Sequence, residues 1–154
     1  MSVHFCDSSA LVKRYVTEIG TAWLTATLDP NIGSRIYIAQ ITIVEVVSAI
    51  TRRERGGHTT ANDAIKALTR FENDWRKEIT TVELSAVLVD DAVALARKYA
   101  LRGYDAVQLA TILEVHNERT ALGLSSLPLL SADTDLNAAA LSEGLTVDNP
   151  NNHP

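Results

Sequence analysis

A single cysteine, Cys6, leaves this chain of 154 residues unable to form an internal disulfide. The start, Met1-Ser2-Val3-His4-Phe5-Cys6-Asp7, has no basic stretch followed by a long apolar one, as a secretory leader would. Together these point to a reducing cytoplasm. Apolar runs long enough to span a bilayer are missing too, so no membrane role is expected. The four histidines, His4, His58, His116 and His153, show no ligand spacing, which argues against zinc. No glycine-rich phosphate loop occurs; Gly56-Gly57 and Gly103 stand as isolated breakers. Positive charge is also in deficit. Fourteen Lys and Arg face nineteen Asp and Glu, a net charge of -5. A protein that grips nucleic acid by bulk electrostatics would be basic. An enzyme that meets phosphate through a bound divalent metal need not be, because its acids are spent on the metal.

What is present is ordinary globular material. Hydrophobic residues make up 46% and charged residues 21%, and the length fits one domain with a full core. Short strands are expected at Val3–Cys6, Arg35–Ala39, Thr80–Leu84, Leu127–Ala132 and Leu145–Val147. Helices are expected at Ser8–Val16, Thr21–Leu28, Thr42–Arg55, Thr59–Glu78, Val87–Tyr99, Tyr104–Arg119 and Leu136–Ser142. In the fourth helix, Ile65, Leu68, Phe71 and Trp75 share one face. There are no tight hairpin turns, repeats or linkers. Alternating strands and helices imply a short parallel sheet with helices on both faces, an α/β fold. Residues 1–148 read as one domain, and residues 149–154 as a frayed tail.

Ligands in such sheets gather beyond the carboxyl ends of the strands. Asp7 and Asp133 close strands at that edge. Glu45 lies in the helix that starts there, and Asp105 opens another helix. Taken singly, Asp7 and Asp133 read as helix caps and Asp105 as a first-turn carboxylate. Glu45 has no such role. It stands mid-helix in Ile41-Thr42-Ile43-Val44-Glu45-Val46-Val47, and Arg52 and Arg53 lie about two turns away. A lone carboxylate buried among apolar side chains would cost several kcal/mol or take up a proton. Several brought together need a cation. Magnesium suits them, since it takes oxygen donors and keeps several waters. Ser8 and Ser9 are placed to bond a metal-bound water or to cap a helix, and Cys6 reads as a small core residue.

These segments resemble a known family. Phe5-Cys6-Asp7-Ser8-Ser9-Ala10-Leu11-Val12-Lys13 is similar to the opening of PIN-domain ribonucleases, and Glu45 in a mid-chain apolar helix matches their second acid. Gly103-Tyr104-Asp105-Ala106-Val107-Gln108-Leu109-Ala110 resembles their third acidic motif, and Leu130-Ser131-Ala132-Asp133-Thr134-Asp135-Leu136 their fourth. Order, spacing and length most resemble the VapC-type toxin of VapBC toxin–antitoxin pairs. The resemblance implies a PIN-like three-layer sandwich and a metal-dependent endoribonuclease. It assigns the catalytic, metal-binding positions to Asp7, Glu45, Asp105 and Asp133, with magnesium, or manganese in its place, as one ion or two. Asp133 is taken as the fourth site acid, held through a water, and Asp135 as second choice. No histidine stands at the motifs, which disfavours imidazole acid–base catalysis.

The resemblance further implies an RNA substrate, a cognate antitoxin and a homodimer. Its antitoxin tail would lie in a groove beside the acids. Lys13, Arg52 and Arg53 are the candidate basic rim for RNA phosphates. A non-catalytic PIN-like domain that binds RNA or protein is the alternative, though such domains typically lose acids from the quartet. A receiver-like signalling domain fits poorly. It would pair acids after the first strand and place a lysine after the last core strand, and neither occurs.

Overall fold

The computed structural model describes residues 2–154. Among them run five strands and seven α-helices. In chain order these are β1 (Val3–Cys6), α1 (Ser8–Leu11), α2 (Thr21–Thr27), β2 (Arg35–Ala39), α3 (Gln40–Arg55), α4 (Ala61–Lys77) and β3 (Ile79–Val82). Then follow α5 (Ala86–Tyr99), α6 (Gly103–Ala121), β4 (Leu129–Leu130), α7 (Thr134–Ser142) and β5 (Val147–Asp148). All strand pairs are parallel, in the order β3-β2-β1-β4-β5. The chain moves to one side of β1 for β2 and β3, then to the other for β4 and β5. The connections therefore reverse between β1 and β4, and a crevice opens at such a point beyond the carboxyl ends.

The three layers follow from the period-two alternation of the strands. Cys6, Ile36, Ile38 and Leu130 face one core, shared with Leu11, Leu24, Val46, Ile50, Ala64 and Phe71. Phe5, Ala39 and Leu129 face the other, shared with Leu109, Ile112, Leu127, Leu136 and Ala140. Helix caps set the boundaries: Thr60 accepts from the Asp63 N–H at the start of α4, and Ser85 from the Leu88 N–H at the start of α5. Among the described residues no helix is long and apolar enough to cross a membrane.

Several expectations are corrected. The helix read at Ser8–Val16 is one α turn that tightens into a 3-10 turn at Val12–Arg14. The strand read at Leu127–Ala132 shortens to a two-residue ladder, because the chain turns away to start α7. On α4 the buried face carries Ala64, Ala67 and Phe71, which join the core shared with α3, while Ile65 is exposed. The tail is not frayed. Pro150–Asn152 form a 3-10 turn, Pro150 is buried, and the His153 ring stacks on Trp23 at 4.0 Å.

Candidate active site

Asp7 leaves β1 in an extended conformation and caps α1. Its Oδ1 accepts the Ala10 N–H at 3.0 Å, Ser9 Oγ donates to both carboxylate oxygens at 2.7 and 2.9 Å, and Ser131 Oγ donates to Oδ2 at 2.9 Å. Only 3% of the residue is exposed. Burial pushes its carboxyl up to about 7, against the pull of those hydrogen bonds, and the nearby Glu45 adds to the rise. The same serines tie β1 to the segment after β4. The Ala132 N–H donates to Ser9 Oγ at 2.9 Å, the Asp133 N–H to Ser131 Oγ at 3.1 Å, and Asn137 Nδ2 to the Ser131 carbonyl at 2.8 Å.

Glu45 sits in the second turn of α3 and is half-buried. Its apolar neighbours do not enclose it as expected, since Val44 and Val47 face solvent. Ser8 Oγ donates to Oε2 at 3.1 Å, and Gln108 Nε2 to Oε1 at 2.8 Å. The Gln108 amide also donates to Thr42 Oγ1 at 2.8 Å, so it fastens α6 to α3. Burial raises the Glu45 carboxyl, partly offset by Gln108 and Ser8.

Asp105 lies in the first turn of α6, half-buried. Burial raises its carboxyl first; the charges of Asp133, Glu45 and Asp135 raise it further, while Arg102 lowers it. Asp133 caps α7, its Oδ1 accepting the Leu136 N–H at 2.9 Å. Arg102 stands between these two acids, with Nε 3.5 Å from Asp105 Oδ2 and Nη2 3.5 Å from Asp133 Oδ2. Asp135 is exposed in the first turn of α7 and lines a separate hollow with Tyr99 and Ser142. The bland roles of Asp7, Asp105 and Asp133 are thus all present, and charge coupling links Asp7 to Glu45 and Asp105 to Glu45 and Asp133.

A groove of about 480 Å³ runs past Glu45, lined by Ser8, Ile41, Val44, Ser48, Arg52 and Tyr104 among others. Of the expected basic rim, only Arg52 lies there. Lys13 is buried and bonds Glu18 at 2.8 Å, and Arg53 pairs with the same Glu18. Both are occupied in fixing the turn before α2. Sequence reading missed Arg102, Gln108, Ser131 and Asn137. A signal existed for two of them: Arg102 and Gln108 stand three residues either side of Asp105, on its helical face. Ser131 carried none, because Asp7 is 124 positions away, and Asn137 matters only through its bond to the Ser131 carbonyl.

Among the described residues, no three Asp, Glu, His or Cys side chains converge into a ready-made metal cage. The donor set nevertheless fits magnesium. Its donors are oxygens, and magnesium commonly takes one or two carboxylates and completes its shell with water. Beside Glu45, the buried Gln108 Oε1 has no hydrogen-bond partner among the described residues. A hydrated cation brings water donors of the kind that atom needs.

A parallel α/β domain with acids just after β1 and β4, the strands that flank its switch point, defines the class. The chain belongs to the PIN domain family, which matches residues 4–141. It is 34% identical over 115 residues to Ribonuclease VapC45 of Mycobacterium tuberculosis (strain CDC 1551 / Oshkosh), covering 75% of this chain and 78% of that relative. Among solved structures it is similar to a toxin-antitoxin complex from Klebsiella pneumoniae. That match has a TM-score of 0.63 and 19% identity, over 96% of this chain and 97% of the other. It is also similar to Mycobacterium tuberculosis VapC20, a Sarcin-Ricin loop cleaving toxin. There the TM-score is 0.61 and the identity 16%, over 90% of this chain and 95% of that one. At these identities the structural likeness establishes the fold.

Proposed function

We propose that this chain is a magnesium- or manganese-dependent endoribonuclease, the toxin of a type II toxin–antitoxin pair. What supports the reading is the placement of Asp7 and Asp133 after the carboxyl ends of β1 and β4, with Glu45 charge-coupled to Asp7 and Asp105 to Glu45 and Asp133, and the carboxyls of Asp7, Glu45 and Asp105 all raised. Similarity to a curated VapC ribonuclease supports the same conclusion. Asp7, Glu45 and Asp105 would hold the cation, with Asp133 reaching it through a water and Asp135 outside. A bound divalent ion polarises a phosphodiester and lowers the pKa of a coordinated water.

The protein's own share is positioning. Ser9 and Ser131 fix both oxygens of Asp7, and Ser8 and Gln108 aim those of Glu45. Rigid carboxylates lose little entropy on binding and keep a hydrated ion in one place. The groove with Arg52 and Tyr104 offers RNA a cation and an aromatic face. Residues 1–148 form the nuclease domain in this reading. An antitoxin tail would occupy the groove, and the active unit would be a homodimer; light scattering that reports a monomer across micromolar concentrations would refute the latter.

The direct test is cleavage of mixed RNA by the pure protein. Activity should require magnesium or manganese, and Asp7→Asn, Glu45→Gln and Asp105→Asn should each lower kcat at least about a hundredfold with the fold intact. Full activity in chelator, or in all three variants, would sink the proposal.

A further inference from the structure

Arg102 occupies the N-cap position of α6, where its side chain makes no capping hydrogen bond. A cation there opposes the helix dipole, so helix stability does not account for it. Its guanidinium instead reaches two acids from different elements, Asp105 on its own helix and Asp133 across the crevice, each at 3.5 Å and through a different nitrogen. Asp7 and Glu45 have no ion-pair partner among the described residues. Arg102 is therefore the cation that the fold sets against the acid cluster.

We infer that Arg102 is an internal counterion that exchanges roles: it bridges Asp105 and Asp133 when the metal is absent and binds an RNA phosphate when the metal is present. The inference rests on the metal-dependent nuclease reading above. Both contacts are long for hydrogen bonds, and the side chain is 78% exposed, so the bridge is weak and readily displaced. A divalent cation on the same acids repels the guanidinium. The backbone at the start of α6 keeps it at the lip of the crevice, beside the exposed Tyr104. The guanidinium fork matches two phosphate oxygens at once. In a chain of net charge -5, one mobile local cation supplies attraction that the whole molecule lacks.

The test uses the full chain and two readouts: manganese titration by calorimetry without RNA, and KM for RNA as a function of salt. Arg102→Gln should bind manganese about two- to fivefold more tightly, the size of an exposed ion pair. It should raise KM roughly three- to tenfold with kcat nearly unchanged. The slope of log KM against log salt should become shallower by about 0.7, one phosphate contact on single-stranded RNA. Arg102→Lys should keep the wild-type salt slope and metal affinity. Arg52→Gln removes a groove cation that touches none of the acids, so its manganese affinity should stay at the wild-type value. The inference is overturned if Arg102→Gln leaves the manganese affinity unchanged, if Arg52→Gln shifts it equally, or if KM and its salt slope do not move. A wild-type chain that takes up no manganese and cuts no RNA overturns the functional reading itself, and this inference with it.

Discussion

At Asp7 two demands compete. As a cap it is well served, with hydrogen bonds from Ser9, Ala10 and Ser131. As a buried charge it is poorly served, and desolvation raises its carboxyl from 3.8 to about 7. A carboxyl raised on folding adds stability below its unfolded pKa. That stability is lost as pH climbs from about 4 through about 7. Asp7→Asn removes the titration while retaining an oxygen that can cap. The variant should therefore be more stable than wild type at pH 7.5 by about 1–2 kcal/mol in chelator, with the gain fading toward pH 4. Denaturant unfolding at the two pH values measures it. A variant destabilised equally at both would mean that the cap dominates. The position of Asp7 was legible in the sequence because a strand, an acid and a helix start follow one another directly. Its hold on Ser131 was not, since the two residues are 124 positions apart and only the β1–β4 pairing joins them.

Elements were legible where periodicity was strong and blurred where tertiary contacts set the ends. The helix expected at Val87–Tyr99 forms almost within those bounds, as α5, and its Leu88, Ala92, Leu95, Ala96 and Tyr99, at helical spacing, pack inward. Strand β4 kept only two residues of its apolar run, because Ser131 and Asp133 turn out to serve the crevice and the α7 cap. The tail defied its composition altogether. Asn149 caps the 3-10 turn, His153 Nε2 lies 2.7 Å from Asp148 Oδ1, and the His153 ring covers Trp23. Gly20, at φ +86°, passes so close that a Cβ there would meet the Pro150 carbonyl oxygen. Deleting residues 149–154 should expose the Trp23 face and the Leu24 side of the core, lowering stability by about 1–3 kcal/mol. Trp fluorescence should shift to the red, while the proposed magnesium-dependent cleavage should be retained below the melting temperature, because none of Asp7, Glu45, Asp105 and Asp133 is touched. An unchanged melting curve would return the tail to the frayed state that its composition suggested.

For the whole molecule, the excess of acids makes cation effects easy to misread. A net charge of -5 means that any salt screens self-repulsion and stabilises the fold slightly. Binding at the crevice is a separate term: an ion that binds only the native state adds RT ln(1 + [L]/Kd). For a Kd of about 1 mM, about 10 mM magnesium adds ~1.4 kcal/mol. In a domain of this size that is a rise of roughly 3–5 °C in Tm. The sequence foretold acids at the sheet edge, but not that Arg102 pairs with Asp105 and Asp133, and in the proposed reading this bridge subtracts from what a bound metal would gain. The decisive comparison is magnesium chloride against sodium chloride at matched ionic strength. Wild type should melt several degrees higher in magnesium than in sodium. Asp105→Asn, which removes one carboxylate from the bridge and from the site, should lose most of that difference while keeping the small response to sodium. Equal shifts in both salts, or an undiminished magnesium response in Asp105→Asn, would mean that the stabilisation is screening and that the crevice holds no ion.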